Sequence, residues 1–476
     1  MTNATRRLYL SALHKGSGKT TLSIGLAAAL RARGAVVQPF KKGPDYIDPG
    51  WLTTASGRPC HNLDFHTMGP EEIRQAVAGA AGAWALIEGN KGLHDGTDPA
   101  GRDSNAALAR ELRAPVILVV DARGMTRGVA PTVLGHARFD PEVPVAGVIL
   151  NQVGGRRHEA KLRQALAEHT DIPVLGALPR TEEAGIDAPY LGLIPAAEQE
   201  HARAQVQRLG EWTAQHLDLD ALDAVAAKAP ELSAAAGART AAPGTATAEG
   251  AAAPSGPPPR IGVAYDRAFN FYYPGDLQAL EQAGAELHWI DTLADEGLPR
   301  LDGLIIGGGF PERHAAELED NAALRAAVAE AAAQGLPIYA ECGGLLYLGR
   351  ALHTETGRHA MAGALALETE MTARPQGHGY LWLHPTGRAP WTPAPGGAPA
   401  PAHAFHYSRV RSPAEGLPCA YELEGGRGID GRRDGIVHRN TLAGYAHLRH
   451  TRASPWTERF LAFVRSQQGR PLDADA

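Results

Sequence analysis

The chain has 476 residues, 44% of them hydrophobic and 21% charged, and carries a formal net charge of −6. That is too long for one ordinary core and too acidic for a general nucleic-acid binder, although a local basic pocket for an anionic substrate is still allowed. No apolar run approaches the roughly 20 residues of a membrane span, and the start MTNATRRLYLSALHKG lacks the apolar core of a signal peptide, so the expectation is a cytoplasmic protein without a membrane partner.

In chain order, RLYLSAL (7–13) reads as a strand, HKGSGKTT (14–21) as a glycine loop and TLSIGLAAALRARG (21–34) as a helix ending at Gly34. Gly16, Ser17 and Gly18 let backbone N–H groups close on phosphate oxygens. Lys19 supplies a point charge, and Thr20, followed by Thr21, can place a hydroxyl on magnesium. The G-x-x-x-x-G-K-[ST] pattern fails only at its first glycine, which is Leu13.

AVVQPF (35–40) is the next strand, and it runs into PFKKGPDYIDPGWL (39–52). This loop combines Lys41, Lys42, Asp45 and Asp48 with Tyr46, Ile47 and Trp51, which is too apolar for a plain surface turn and suits an anionic substrate and a metal beside the phosphates. Three further strands, WALIEG, PVILVVDA and VAGVILNQV, carry Glu88, Asp121 and Asn151 at or near their ends. Ligands in parallel α/β folds collect at carboxyl ends of strands, so Glu88 is a candidate magnesium ligand and Asn151 a candidate adenine reader. Singly, each serves equally well as a helix N-cap.

Residues 228–259, rich in Ala, Pro, Gly, Ser and Thr, have no apolar period and read as a flexible linker between domains at 1–227 and 260–466, with a tail at 467–476. Behind the linker, RIGVAYD, LDGLIIGGG and LPIYAECG read as strands, and PGDLQALEQAGA and NAALRAAVAEAAAQG as helices. The expected fold is therefore α/β, with two doubly wound parallel-sheet domains. The three cysteines, Cys60, Cys342 and Cys419, show neither a disulfide framework nor zinc spacing. Cys342 stands in a strand–turn–helix pattern, where a helix N-terminus favours a reactive thiol, although a buried structural thiol is the alternative. Gly343 and the pair Gly308 and Gly309, which ends another strand, are candidate oxyanion donors.

The motifs KKGPDYIDP, EGNKGLHDG and GVILNQVGGRRHEAKLR resemble the cobyrinic acid a,c-diamide synthase family, as do YDRAFNFYYPGDLQAL, HAFHYSRV and NTLAGYAHLRH. That resemblance implies an N-terminal P-loop synthetase domain and a C-terminal class I glutamine amidotransferase-like domain. The synthetase would use ATP and Mg²⁺ to activate a carboxylate of a polycarboxylate tetrapyrrole as an acyl phosphate. It further implies Lys19 and Thr20 for phosphate and magnesium, Asp45 and Glu88 for magnesium, and Cys342 with His447 as the glutamine-hydrolysing pair, leaving His450 a bystander. Tyr272, Tyr273, His406 and Tyr407 would line a substrate surface or pack beneath the sheet. His14, Lys15 and Arg449 depart from the family pattern. Relatives amidate other tetrapyrroles, so siroheme or another sirohydrochlorin-derived substrate is the second expectation. A P-loop switch ATPase with an inert glutaminase-like module is the third, and it does not require Cys342, His447 or the GPDYIDP loop. Glutamine is the expected second substrate, and the sequence leaves homodimer formation open.

Overall fold

Near-continuous apolar runs such as Val116–Asp121 are strands buried on both faces, and burial on both faces is what a parallel sheet covered by helices demands. The computed structural model describes residues 6–80, 82–180, 202–232, 256–389, 391–412 and 416–468. The chain divides into two units, Met1–Pro243 and Gly244–Ala476. The division falls inside the stretch read as a linker, most of which (233–255) lies outside the described residues, as does most of the tail.

The first unit holds seven strands: β1 (Arg6–Ala12), β2 (Val37–Lys42), β3 (His61–Leu63), β4 (Trp84–Glu88), β5 (Val116–Asp121), β6 (Val145–Val153) and β7 (Val174–Pro179). They form one sheet in the order β3-β2-β4-β1-β5-β6-β7, every neighbouring pair parallel. One face packs Leu8 and Leu10 of β1 against Leu22 and Leu26 of helix α1 (Lys19–Ala32) and against Leu209. The other face packs Tyr9, Ile87 and Leu118 against Leu108 and Leu112. Helix α1 begins right after Gly18, two residues earlier than the expected start, and is closed by Gly34 in a left-handed conformation at φ 83°.

The second unit contains β8 (Arg260–Ala264), β9 (Phe269–Phe271), β10 (Glu286–Ile290), β11 (Gly303–Ile306), β12 (Gly308–Gly309), β13 (Ile338–Glu341), β14 (Ala351–Thr354), β15 (Gly357–Ala360) and β16 (Glu368–Met371). It continues with β17 (Gly377–Pro385), β18 (Ala400–His406), β19 (Ser408–Ser412), β20 (Cys419–Glu424), β21 (Arg433–His438) and β22 (Thr441–Gly444). Its main sheet runs β10-β8-β11-β13-β22-β21-β20-β17-β18. The first five strands are parallel, as expected, and the remaining four extend the sheet antiparallel. In this unit, then, the doubly wound parallel half carries an antiparallel wing that the sequence reading did not include. No helix among the described residues is long and apolar enough to cross a membrane.

Candidate active sites

Because all seven strands of the first sheet point the same way, their carboxyl ends share one edge, and the glycine loop leaves β1 between β4 and β5. Register sets Leu10 beside Glu88, Glu88 beside Lys41, and Asp121 beside Asn151. The loop is wrapped on its own backbone: Ser17 Oγ donates to the His14 carbonyl at 2.9 Å and Lys19 Nζ reaches the same oxygen at 3.5 Å. Asn151 Nδ2 donates to the Ser17 carbonyl at 2.9 Å. A Cβ on Gly18 would lie 2.2 Å from that amide nitrogen, and its φ is +87°, so only glycine fits there. Burial lowers the Lys19 pKa to about 8, even though Glu88 pulls the other way.

Beside the loop sits a buried charge cluster. Thr20 Oγ1 lies 2.8 Å from Glu88 Oε1 and 3.1 Å from Asp48 Oδ2, its one proton shared between the two carboxylates. Lys41 Nζ pairs with the same two oxygens, at 2.8 Å from Glu88 Oε1 and in closer contact with Asp48, while Asp45 Oδ2 is 3.7 Å away. Burial disfavours the ammonium of Lys41, but Asp48 and Glu88 outweigh it and hold the pKa well above the ordinary value. Burial raises the Glu88 carboxyl, with Lys41 opposing.

The aspartates of GPDYIDP thus divide their work differently from the sequence expectation. Asp45 Oδ1 accepts from the N–H groups of Ile47 and Asp48, at 2.9 and 3.1 Å, and so caps helix α2 (Ile47–Ser56). The turn it makes carries Asp48, not Asp45, against Thr20. Tyr46 lies half-buried at the mouth of the same helix, and the buried Lys42 reaches Asn90 Oδ1 at 3.5 Å. Asp121 is drawn away into a pairing with Arg123 at 2.6 Å. Thr21 is buried in the first turn of α1. His14 and Lys15 are exposed, and the His14 ring lies on the loop itself, with Nδ1 2.7 Å from the Lys15 carbonyl oxygen, so these departures from the family pattern fall at the rim of the phosphate loop.

In the second unit Cys342 joins β13 to a short helix, Gly343–Leu348, with φ 51° and ψ −103°, a backbone conformation that non-glycine residues rarely adopt. The turn is held by Cys342 N–H donating to the Gly444 carbonyl at 2.7 Å and by Gly344 N–H donating to the Gly307 carbonyl at 3.1 Å. A Cβ on Gly344 would strike the Ile306 carbonyl at 2.2 Å, and one on Gly343 would lie 3.2 Å from the Gly309 nitrogen. The three candidate oxyanion glycines, Gly308, Gly309 and Gly343, are therefore neighbours of the sulfur-bearing turn.

His447 follows β22 by three residues and is 2% exposed. Asp434 holds the intervening turn, accepting from the Tyr445 and Ala446 N–H groups. Burial works against an imidazolium at His447, but the Glu341 carboxylate and the Cys342 side chain outweigh it and lift the pKa to about 10. His447 is thus poised to carry a proton beside the sulfur. His450 is occupied elsewhere: its N–H donates to Asp276 and its ring bonds Thr457 Oγ1 at 2.6 Å.

Three of the four family aromatics pack inside this unit. Tyr272 OH accepts from Gly307 N–H, Tyr273 packs under Arg449 with the guanidinium 5.0 Å from its ring centre, and His406 stacks on Tyr445 at 3.8 Å. Tyr407, 39% exposed, is the most open of the four, and Tyr272 is half-buried. The sequence reading also missed Asn105, whose Oδ1 accepts from Tyr9 OH and Asn90 N–H and so fixes the segment after Glu88. It missed Glu341 and His403 beside Cys342 and His447 as well. Glu341 adjoins Cys342 in sequence and could have been flagged; His403 has no local signal.

A glycine-loop sheet that gathers carboxylates and a strained cysteine beside a histidine define an ATP-dependent glutamine amidotransferase. Residues 13–188 match the CobQ/CobB/MinD/ParA nucleotide binding domain, and residues 260–454 match the CobB/CobQ-like glutamine amidotransferase domain. The chain is 47% identical over 467 residues to a cobyrinate a,c-diamide synthase of Magnetococcus marinus, covering 97% of this chain and 98% of that protein. It is 41% identical to the one of Syntrophotalea carbinolica, covering 97% and 99%, and 39% identical to that of Methanosarcina acetivorans, covering 93% and 92%. The chain belongs to the cobyrinate a,c-diamide synthase family.

Proposed function

We propose that the chain catalyses the ATP-dependent, glutamine-hydrolysing amidation of the a and c carboxylates of cobyrinic acid, or of its cobalt-free counterpart hydrogenobyrinic acid. The observation that carries this reading is the pairing of two chemically distinct sites in one chain whose full-length relatives bear that name. Glutamine hydrolysis begins with the Cys342 thiol attacking the side-chain amide carbon while His447 accepts the thiol proton. The oxyanion is met by N–H groups among Gly308, Gly309 and Gly343. His447 returns its proton to the departing nitrogen, ammonia leaves, and water cleaves the thioester to glutamate and free thiol.

In the first unit the loop amides of Gly16, Ser17 and Gly18, with Lys19, Thr20 and Thr21, would hold the ATP phosphates. Asn151 serves as the brace of that loop. A magnesium ion fits the donors present: Glu88 Oε2 is buried with no hydrogen-bond partner, and Thr20 Oγ1 already lies against Asp48 and Glu88. Magnesium in phosphoryl-transfer sites is commonly held through one or two carboxylates, phosphate and water. When bound, such an ion would supply charge neutralisation on the phosphates. Lys41, which now pairs with Asp48 and Glu88, would meet the reacting carboxylate together with Lys42 and Tyr46. A carboxylate oxygen attacks the γ-phosphorus of ATP and ADP leaves; ammonia then attacks the carbonyl carbon of the acyl phosphate, inorganic phosphate departs, and loss of a proton from nitrogen leaves the amide.

The test is mass spectrometry of cobyrinic acid, and separately of siroheme, after incubation with enzyme, Mg-ATP and glutamine. Two OH-to-NH₂ exchanges on cobyrinic acid are expected; exchange on siroheme alone would move the substrate assignment. With Cys342→Ala, glutamine should fail as donor and ammonium chloride should replace it.

A further inference from the structure

The His447 imidazole is enclosed on three sides. His403 lies flat against one face, the ring centres 4.8 Å apart and the planes 15° from parallel. Gly308 meets its edge so closely that a Cβ there would come within 2.7 Å of Cε1. On the third side Glu341 Oε1 stands 3.4 Å from Nδ1.

Glu341 is itself held. It ends β13 opposite Gly444 of β22, and its side chain is only 9% exposed. Its other oxygen, Oε2, accepts from Tyr339 OH at 2.8 Å and from Leu448 N–H at 3.2 Å. Tyr339 is buried under Trp456, with ring centres 4.5 Å apart. One carboxylate oxygen therefore faces the base while the other is tied to the residue that follows the base. The remaining nearby acids are committed elsewhere: Asp434 to the Tyr445 and Ala446 N–H groups, Asp276 to His450 N–H and the Trp456 indole.

We propose that Glu341 is a positioning residue of the glutaminase: it accepts the Nδ1 proton of His447 and so turns Nε2 toward the Cys342 sulfur. This rests on the hydrolysis chemistry proposed above but not on the identity of the macrocycle. No atom of Glu341 enters the bond changes; the thiol proton travels to Nε2 and onward to ammonia, while the Nδ1 proton stays in place. Without the carboxylate, only the Cys342 side chain opposes burial, the imidazolium is less favoured and the neutral tautomer is no longer specified. The other charged or titratable groups around His447 are Cys342, His403, His406 and Asp434.

The experiment compares wild type, Glu341→Gln, Glu341→Asp and Tyr339→Phe by glutamate release and by the pH dependence of iodoacetamide labelling of Cys342. Labelling needs neither ATP nor macrocycle, so failure of the cobyrinate assignment would leave it readable. Cys60 and Cys419 are buried with thiol pKa values raised by burial, and peptide mass spectrometry identifies the labelled site. Glu341→Gln is expected to slow glutamate release by about 10²-fold or more and to slow labelling near neutral pH with a shifted pH profile. Glu341→Asp should recover part of both, and Tyr339→Phe should lose about tenfold or less in release. Wild-type release and an unshifted labelling profile in Glu341→Gln would overturn the proposal. So would a loss in Glu341→Gln that tracks a lowered unfolding temperature and is not eased by aspartate.

Discussion

His403 and His447, forty-four positions apart, are joined three ways: their rings stack at 4.8 Å, the His447 N–H donates to the His403 carbonyl at 2.8 Å, and the His403 N–H donates to the His447 carbonyl at 3.4 Å. The backbone bonds do not involve the side chain at 403, so a replacement there removes the ring's contacts, the stack on His447 and the Tyr273 hydroxyl 3.5 Å from Nδ1. A stacked pair of this kind is worth about 0.5–1.5 kcal/mol. His403→Ala should therefore lower kcat for glutamine hydrolysis by up to about tenfold. His403→Phe, which keeps a flat ring, should recover most of the loss. Steady-state glutamate release checks both.

The backbone at Cys342 carries strain that a β-carbon makes worse, at φ 51° and ψ −103°. Such a conformation costs of order 1–3 kcal/mol, and glycine escapes most of it while losing about 0.5–1 kcal/mol through its freer unfolded chain. Both Cys342→Ala and Cys342→Gly abolish glutamine hydrolysis, but the glycine variant should be the more stable by about 1 kcal/mol. Denaturant unfolding of the two, followed by a probe in the second unit, measures the difference.

Lys19 loses its proton near pH 8 because burial disfavours the ammonium, and a triphosphate binds best to the charged form. Below that pH the charge is already present; above it, binding must first recover a proton from solvent. The KM for ATP should accordingly be flat below about pH 8 and climb toward tenfold per pH unit above it. Lys19→Arg, which stays charged, should flatten the climb even if its absolute KM is higher.

Asp45 and Asp48 separate by experiment. Asp45→Asn keeps a capping oxygen for Ile47 and Asp48 N–H and should change little, whereas Asp45→Ala should cost about 1 kcal/mol of stability. Asp48→Asn keeps the bulk beside Lys41 but removes a charge from the Thr20 pocket. It should lower kcat/KM for Mg-ATP by about 10²-fold or more with either glutamine or ammonium as donor. Kinetics at saturating magnesium, paired with thermal unfolding, distinguishes the two residues.

Much of the first unit is legible in the sequence because parallel strands buried on both faces write themselves as solid apolar runs: β4, β5 and β6 start and end within a residue of the runs WALIEG, PVILVVDA and VAGVILNQV. The antiparallel wing of the second sheet is not, since strands such as β17, whose residues are buried, half-buried and exposed by turns, mix polar and apolar residues and give no solid run. Within the sites, local grammar finds Lys19, Thr20 and Cys342, each fixed by the turn it occupies. It does not rank Asp45 against Asp48, because their division depends on a helical turn that carries one of them toward Thr20. Nor does it reach His403, which meets His447 only through a bridge between β18 and the segment after β22.

The one-way run of the seven-strand sheet leaves its opposite rim free for engineering. Every group named in the synthetase chemistry issues from the carboxyl ends of β1, β2, β4 and β6, whereas the connections at 33–36 and 140–144 enter strands from the other side. Those two turns are exposed for much of their length and contain none of the site residues. They are the places to graft a fluorophore, an affinity tag or a surface anchor on an active enzyme. A single residue inserted between β1 and α1 would instead displace the phosphate loop from its Asn151 brace.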